Sequence, residues 1–473
     1  MGLKILGIDI GSFETRAVIA EQDEAGVVRI IGIGKEKSQG VKNGAISNIE
    51  EVAISVKNAL NTAQKIAGTR YDRVVVSISG ANVKSVNSRG VVNIPNHQIT
   101  LREIERVMES AESYKVDMPT NYEKIHVLPY NFKVDEQDNI EDPLGMTGSR
   151  LEVQTHIIIA PTSMVSNIRS AIKKAGILID NLVLSGYASA IATLSDDERE
   201  LGVVLVDIGS STTDIVIHHG NSIIFNYFFP LGSGRITNDL SIALQTPISK
   251  AEELKINYAN LMSKSVDFIE VPLLGDEKES KTFSLDVLSK PIQIRLEENL
   301  GVVLSSIQEA QKTNEKLKET IGAGIVFTGG MTKLEGFKEI ADLMFAQMRV
   351  RVAKPKNLEG FYEVMSDPAN SCVVGLCLYG AGKFTPYEID SEKRMRYKGE
   401  NIPKSKNSDS FLNVKDEIEI EKNDEKKDEI GGGFEIKTQD EKSDLLDISN
   451  LGEQKKEPNF LVKIWQKIIN WFF

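Results

Sequence analysis

The amino-acid sequence predicts an α/β protein with two lobes that open on the same arrangement of strands. Residues Lys4–Ala20 and Gly202–Ile217 each contain two apolar runs joined by a short polar turn. A third apolar run follows each of them, at Val27–Ile33 and Ser222–Phe229, so each half is predicted to open with a three-strand meander. Both turns carry Asp-Ile-Gly-Ser-x-x-Thr, beginning at Asp9 and at Asp207. The chain has 473 residues, enough for more than one domain. One motif at the start of both halves therefore indicates a duplicated core.

The repeated turns combine a carboxylate with glycine and serine, which suggests a phosphate site. Glycine lets the backbone approach a ligand closely, and successive N–H groups of a turn form a concave anion site. Asp9 and Asp207, beside these turns, are suited to hold a hydrated Mg²⁺. One such turn alone is more often an ordinary hairpin. Two copies can face each other and clamp one polyphosphate.

Five segments, taken in order along the chain, resemble the nucleotide motifs of the actin superfamily. They are Gly7–Ser12, Leu184–Ala190, Val206–Asp214, Ile325–Leu334 and Val373–Ala381. Within that superfamily the chain resembles the FtsA family of bacterial division proteins. The segments that carry this narrower resemblance are Val76–Asn82, Asp197–Gly202 and the C-terminal tail.

The resemblance implies an actin-like two-lobed ATPase with duplicated ribonuclease-H-like cores. The first lobe is expected to comprise residues 1–80, 163–200 and 370–388, with an α+β insertion at 81–162. The second lobe is expected to comprise 201–232 and 301–369, with an insertion at 233–300. Residues 391–458 hold 18 acidic and 14 basic side chains, a composition that cannot bury enough apolar area to fold. We therefore expect a disordered acidic linker at 389–458 and an amphipathic helix at 459–473.

Periodicity predicts the main helices and strands between the motifs. In the first lobe and its insertion, helices are expected at Glu50–Ala67, Thr100–Ser113 and Ser163–Ala175, and strands at Val74–Ile78, Val83–Val92, Lys124–Val134 and Arg150–Ile159. Thr100-Leu-Arg-Glu has the form of a capping box. In the second lobe, helices are expected at Gly234–Leu240, Lys250–Ile256 and from Pro291 to about Glu319.

The resemblance places Mg-ATP in the cleft between the lobes. The residues expected to contact the nucleotide are Gly11, Ser12, Arg16, Gly209, Ser210, Ser211, Thr212, Gly234, Glu252, Lys255, Gly329, Gly330 and Met331. Asp9 and Asp207 would hold the cation mainly through its waters. Gly329 and Gly330 are expected because a side chain there would collide with the base or the sugar.

Hydrolysis by this site is expected to be slow at most. In actin a glutamine helps to position the attacking water, and the aligned residue here is the shorter Asn181, which with Asp207 is expected to be catalytic. Relatives usually have Gly-Gly where this chain has Ser210-Ser211, and Ser211 is expected to crowd the phosphates. Both departures bear on the rate of hydrolysis more than on binding.

The resemblance further implies a cytoskeletal role at the division site. Such a protein polymerises on the cytoplasmic face of the bacterial inner membrane, holds FtsZ filaments there and recruits later division proteins. Its partners would be further copies of itself, those later proteins and the FtsZ C-terminal tail, for which Arg295 is the expected contact. Two alternatives stay open: a PilM-like protein of pilus assembly, and a sugar kinase, for which no convincing catalytic aspartate is found.

The end of the chain predicts a peripheral attachment to an anionic phospholipid membrane. Lys463, Gln466, Lys467 and Asn470 fall on one helical stripe. The side chains expected to enter the membrane are Phe460, Leu461, Ile464, Trp465, Ile468, Trp471 and Phe472. A helix of this length, roughly 22 Å, is too short to cross a bilayer core of about 30 Å. No apolar run in the chain is long enough for a membrane span and no signal peptide is found, and the net charge of −12 argues against nucleic acid as a partner.

Overall fold

The computed structural model describes residues 2–113, 119–262, 267–313, 317, 320–356 and 358–397. The rest of the expected linker and the expected helix at 459–473 lie outside the described residues. Within these ranges, no helix is both long enough and apolar enough to span a membrane.

The first lobe contains a five-stranded sheet that opens with the predicted three-strand meander. With elements numbered along the chain, its strands are β1 (Leu3–Ile10), β2 (Glu14–Gln22), β3 (Val28–Lys37), β6 (Arg73–Ile78) and β11 (Asn181–Leu184), and a short hairpin of β4 (Val41–Lys42) and β5 (Ala45–Ile46) follows β3. Its helices are α1 (Ile49–Ala67), α3 (Thr162–Lys174), α4 (Ser185–Thr193), α5 (Asp196–Leu201) and α11 (Ser371–Gly380). The sheet order β11-β6-β1-β2-β3 places β1, which carries Asp9 near its end, at the centre.

Helix α1 shows how local sequence sets an element of this lobe. Its N-cap, Asn48, accepts hydrogen bonds from the amides of Glu50 and Glu51, and Gly68 closes the helix in the left-handed conformation at φ 63°. The face that includes Val52 and Val56 is buried against the sheet. The predicted helix is therefore confirmed to within one residue at its start.

The insertion forms its own four-stranded sheet in the order β7-β10-β8-β9. Its elements are β7 (Lys84–Asn93), α2 (Leu101–Ser113), β8 (Tyr122–Val134), β9 (Gln137–Ile140) and β10 (Arg150–Pro161). The amide of Thr100 donates to the Glu103 carboxylate, as the capping box predicts. Ile125, Leu128 and Ile158 belong to the core of the first lobe, so the insertion shares that core.

The second lobe repeats the meander in a sheet of order β14-β13-β12-β17-β18. Its strands are β12 (Val203–Ile208), β13 (Thr213–His219), β14 (Ser222–Phe229), β17 (Gly324–Thr328) and β18 (Val350–Val352), with a separate hairpin of β15 (Phe268–Leu273) and β16 (Asp276–Ser284). Its helices are α6 (Gly234–Leu244), α7 (Ile248–Tyr258), α8 (Asp286–Thr313), α9 (Phe337–Met344) and α10 (Tyr362–Met365). Helix α8 begins five residues before Pro291 and continues through the boundary expected at residue 300, so no break in the chain marks that boundary.

Residues 384–397, here called the C-terminal strap, pack against the first lobe and its insertion. Ile389 and Val127 exchange two backbone hydrogen bonds of 3.0 Å. The buried carboxylate of Glu388 accepts hydrogen bonds from the hydroxyls of Tyr187 and Tyr379. The start of the linker predicted at residue 389 is therefore too early. The prediction from composition missed a short stretch in which three charged side chains, those of Glu388, Asp390 and Arg396, are buried.

Candidate functional site

The two repeated turns face one cleft with a volume of about 550 Å³. Most of the residues predicted to bind the nucleotide or the cation line it: Asp9, Gly11, Ser12, Arg16, Asp207, Gly209, Ser210, Thr212, Glu252, Lys255, Gly329, Gly330 and Met331. The volume is within the range of small-molecule sites, roughly 300–1,000 Å³. The fold thus brings the two acidic turns, which begin at Asp9 and Asp207, to one cleft, as their repetition in the sequence predicted.

The first turn holds two buried donors without an acceptor. Among the described residues, Ser12 Oγ and Arg16 Nε have no hydrogen-bond partner. The other guanidinium nitrogens of Arg16 lie 2.8 Å from Glu14 Oε2 and 3.8 Å from Asp9 Oδ2. Buried polar groups are nearly always hydrogen-bonded, so a free hydroxyl and a free N–H in one cleft point to an anionic ligand. These residues therefore fit a phosphate group.

The second turn is braced by internal hydrogen bonds that leave some of its amides free. Gly209 N–H donates to Thr212 O at 2.9 Å, and Gly234 N–H donates to Ser210 O at 2.7 Å. The Gly209 amide is therefore engaged within the turn, the predicted contact of Gly209 with the nucleotide stays a prediction, and Gly234 supports the turn from α6. Within the described part of the chain, the amides of Ser210, Ser211 and Thr212 have no internal acceptor, so they are available to an anion.

Ser211 lies beside the main cleft. Its side chain lines an adjoining cavity that also includes Ser210, Arg235 and Asn238, while the residues around the main cleft do not include it. Ser211 is thus not among the residues that line the main cleft, and its expected effect on the phosphates stays a prediction.

Three of the aspartates that line the cleft each accept a hydrogen bond from a serine hydroxyl. The bonds run from Ser77 to Asp9 (3.0 Å), from Ser189 to Asp207 (2.5 Å) and from Ser79 to Asp214 (2.8 Å). Burial, together with the neighbouring carboxylates, raises the pKa of Asp207 to about 6 and that of Asp214 to about 7. A cation in the cleft would relieve this repulsion.

Asp214 was not predicted as a site residue, although the sequence carried a signal for it. It ends the second motif, and the register of β12 and β13 pairs it directly with Asp207. The chain has no group of three or more His, Cys, Asp or Glu side chains, within the described ranges, that would hold a metal unaided. Mg²⁺ commonly keeps several waters and binds through one or two carboxylates and the phosphates of its ligand.

The far side of the cleft is formed by α7 and the turn after β17. Lys255 Nζ donates to Glu252 Oε2 at 2.7 Å and to Thr237 Oγ1 at 2.8 Å, so both predicted α7 residues line the cleft as an ion pair. Burial lowers the pKa of Lys255. Met331 is 3% exposed and lies in the core of the second lobe, with part of its surface on the cleft.

Gly329 is required for a reason other than the predicted one. Its φ is 91°, and a Cβ there would lie 2.3 Å from Asp207 Oδ1 and 2.5 Å from Ile208 O. The collision that excludes a side chain is therefore with the second acidic turn and does not depend on a base or a sugar. Gly330 has no neighbour within 3.7 Å of a built Cβ, so a side chain there has space on the cleft.

The prediction that Asn181 is catalytic is wrong. Its side chain is buried outside the cleft, where it donates to Asp390 Oδ2 at 2.8 Å. Because successive side chains of β11 point to opposite faces, the alignment to actin located the strand correctly without fixing which face Asn181 occupies. The side-chain amide of Asn181 is therefore hydrogen-bonded to Asp390 of the C-terminal strap, a residue that the sequence analysis assigned to the linker.

Arg295 is not a free cation for an acidic partner. Its guanidinium forms two hydrogen bonds to Asp239, of 2.6 and 3.0 Å, and a further ion pair with Glu298. Only 16% of its side chain is exposed. The contact between Arg295 and the FtsZ tail therefore stays a prediction, in which the tail would share a guanidinium that is already paired within the second lobe.

Two lobes with a duplicated meander, each giving an acidic Gly-Ser turn to one cleft, define the actin-like class of proteins. A solved structure of the PilM-PilN type IV pilus biogenesis complex shares this fold, with a TM-score of 0.56 and 17% identity over 80% of this chain and 99% of that one. At that identity the likeness is one of fold alone.

The chain belongs to the FtsA family of cell division proteins. The family model "Cell division protein FtsA" matches residues 204–375, and "SHS2 domain inserted in FTSA" matches residues 80–159. The chain is 35% identical to Cell division protein FtsA of Pseudomonas aeruginosa, over 81% of this chain and 90% of the relative. It is 36% identical to Cell division protein FtsA of Helicobacter pylori strain 26695, over 83% of this chain and 85% of that relative. Of the three functions considered from the sequence, family membership supports the division protein.

Proposed function

We propose that the cleft binds Mg-ATP. The observation that carries this proposal is the pair of unpartnered donors, Ser12 Oγ and Arg16 Nε, across from the free amides of the second turn. Phosphates would lie between them, and Asp9 and Asp207 would hold the cation mainly through its waters. Mg²⁺ would neutralise charge on the phosphates. The resemblance of both turns to the nucleotide motifs of the actin superfamily supports a nucleotide ligand.

The nucleoside would lie toward α7 and the turn after β17. Glu252 and Lys255 are suited to contact polar groups of the ribose and purine, because their side chains line the cleft as an ion pair. Gly330 and Met331 give this side open space and an apolar surface. This assignment is independent of the rate of hydrolysis.

We expect slow ATP hydrolysis at most. Asn181 lies outside the cleft, so the amide expected to orient the attacking water is absent from it. Asp214 is a buried carboxylate within the cleft and is suited to accept a proton from the attacking water. Its hydrogen bond from Ser79 fixes its orientation.

We further propose that this protein polymerises on the cytoplasmic face of the inner membrane at the division site and tethers FtsZ there. Family membership supports partners among division proteins and self-association. The second-lobe insertion, residues 233–300, would receive the FtsZ C-terminal tail. Residues 459–473 would attach the polymer to anionic lipid, and later division proteins would join it there.

Removal of the tail is expected to abolish lipid attachment. Its apolar residues each contribute about 1.5–3 kcal/mol on burial, and many tails on one polymer act together. In flotation with vesicles of anionic phospholipid, the full chain should float with ATP, whereas a truncation after Glu457 and the variant Trp465→Glu should stay at the bottom. Equal flotation of the truncated and full chains would show that another surface binds the membrane.

The same vesicles test the tether. FtsZ should float when the full chain is present and should remain in solution with the truncation after Glu457. FtsZ that lacks its own C-terminal tail serves as the matched control and should not float. If tailless FtsZ floats equally well, the proposed mode of attachment is wrong.

A further inference from the structure

The three serine hydroxyls that donate to Asp9, Asp207 and Asp214 differ in which parts of the molecule they connect. Ser77 and Asp9 lie on β6 and β1 of the same sheet. Ser79, just after β6, donates instead to Asp214 on β13 of the second lobe. Ser189, on α4 of the first lobe, donates to Asp207 on β12. Two of the three bonds therefore join the lobes across the cleft.

These two bonds are partly buried. Ser189 is fully buried and Asp214 is 8% exposed, whereas their neighbours in the two bonds, Asp207 and Ser79, are half-buried. A hydrogen bond to a charged group is stronger than one between neutral groups, and a carboxylate left without its partner in such a place is costly. The hydroxyls thus stabilise one arrangement of the lobes.

The same bonds orient the carboxylates. Ser189 holds Asp207 Oδ2, while Asp207 Oδ1 lies on the side where Gly329 approaches closely. Ser79 holds Asp214 Oδ1. Each aspartate comes from the second lobe and each serine from the first, so separation of the lobes would release both carboxylates from the orientation seen here.

We propose that Ser79 and Ser189 are positioning residues, which hold Asp214 and Asp207 toward the ligand only when the lobes are closed. This inference rests on the proposed binding of Mg-ATP for its ligand, but the link between the lobes is present in the chain without one. The two serines would thereby couple closure of the cleft to retention of the nucleotide.

The test uses the full chain with spin labels on two exposed positions, Lys57→Cys on α1 and Glu339→Cys on α9. Both native cysteines are buried. Pulsed electron resonance then measures the distance between the lobes with and without Mg-ATP, and a fluorescent ATP analogue reports the dissociation rate of the nucleotide. The variants are Ser79→Ala, Ser189→Ala, their combination and the conservative Ser79→Thr.

The double alanine variant should show a longer and broader distance distribution in both states and an analogue dissociation rate at least about tenfold faster, equivalent to about 1.4 kcal/mol. Ser79→Thr should restore the parent's behaviour because it keeps the hydroxyl. Ser77→Ala is the matched control: it removes the same kind of bond within one lobe and should leave the distance unchanged.

Parent-like distances and dissociation in the double variant would overturn the proposal, as would a threonine variant that behaves like alanine. If the parent fails to bind the analogue but the double variant still opens, Mg-ATP binding is the part that fails and the inter-lobe role of the serines stands.

Discussion

Asp207→Ala is expected to weaken the binding of Mg-ATP by at least about 100-fold, equivalent to about 2.7 kcal/mol. The variant removes a carboxylate expected to hold the cation and breaks the hydrogen bond from Ser189. Calorimetric titration of the full chain with ATP, in Mg²⁺ and in a chelator, measures the effect. In the chelator the parent and the variant should differ little.

The nucleotide-free Asp207→Ala variant should nevertheless remain folded. Burial raises the pKa of Asp207, so its ionised form is disfavoured in the folded protein, and the carboxylate contributes least to stability above pH 6. The variant also loses the hydrogen bond from Ser189, which offsets this relief, so the thermal midpoint at pH 8 is expected to stay close to that of the parent. Asp197→Ala, at an exposed position on α5, is the matched control and should bind Mg-ATP normally. Parent-like affinity in Asp207→Ala would mean that the nucleotide site lies elsewhere.

Arg396→Met is expected to lower the free energy of unfolding by about 3–5 kcal/mol, the cost of breaking a buried ion pair from one side. The Arg396 side chain is 3% exposed and lies 3.8 Å from the fully buried carboxylate of Asp390. Its guanidinium also lies 4.3 Å from the centre of the Phe384 ring. Methionine fills similar space but leaves Asp390 without this charge. Urea unfolding of the full chain measures the difference.

A second arginine in the strap supplies the control for this prediction. Arg394 also lies 3.8 Å from Asp390, but 46% of its side chain is exposed. An exposed ion pair contributes about 0–1 kcal/mol, so Arg394→Met should have little effect. Equal losses for the two variants would show that the strap is not held by its buried charges.

The local sequence pattern was sufficient to predict the helices and strands that have a clear apolar periodicity or a capping motif. The alternating apolar runs around Asp9 and Asp207 predicted both meanders, and the Thr100 capping box predicted the start of α2. The short strand β9 and the hairpin β15–β16 were missed because their residues lack a clear apolar alternation. Such strands form because a neighbouring strand satisfies their backbone groups, which is information from elsewhere in the chain.

The residues of the candidate site likewise divide into those that local motifs predicted and those whose contacts depend on the fold. Motifs contiguous in sequence, such as the acidic turns, placed most of the cleft residues correctly. Contacts that depend on tertiary structure were not predictable: Ser79 and Asp214 are 135 positions apart, and Asn181 and Asp390 are 209 apart. The sequence therefore predicted which turns meet in the cleft, while the partners of individual side chains required the fold.

A crystal structure of the full chain with Mn²⁺ in place of Mg²⁺ and a slowly hydrolysed ATP analogue tests the central claim most directly. Anomalous scattering locates the metal without reference to the protein atoms. The account predicts one metal ion in the cleft beside Asp9 and Asp207, with phosphates on Ser12, Arg16 and the Ser210–Thr212 amides. A nucleotide bound elsewhere, or a metal ion distant from both carboxylates, would contradict it.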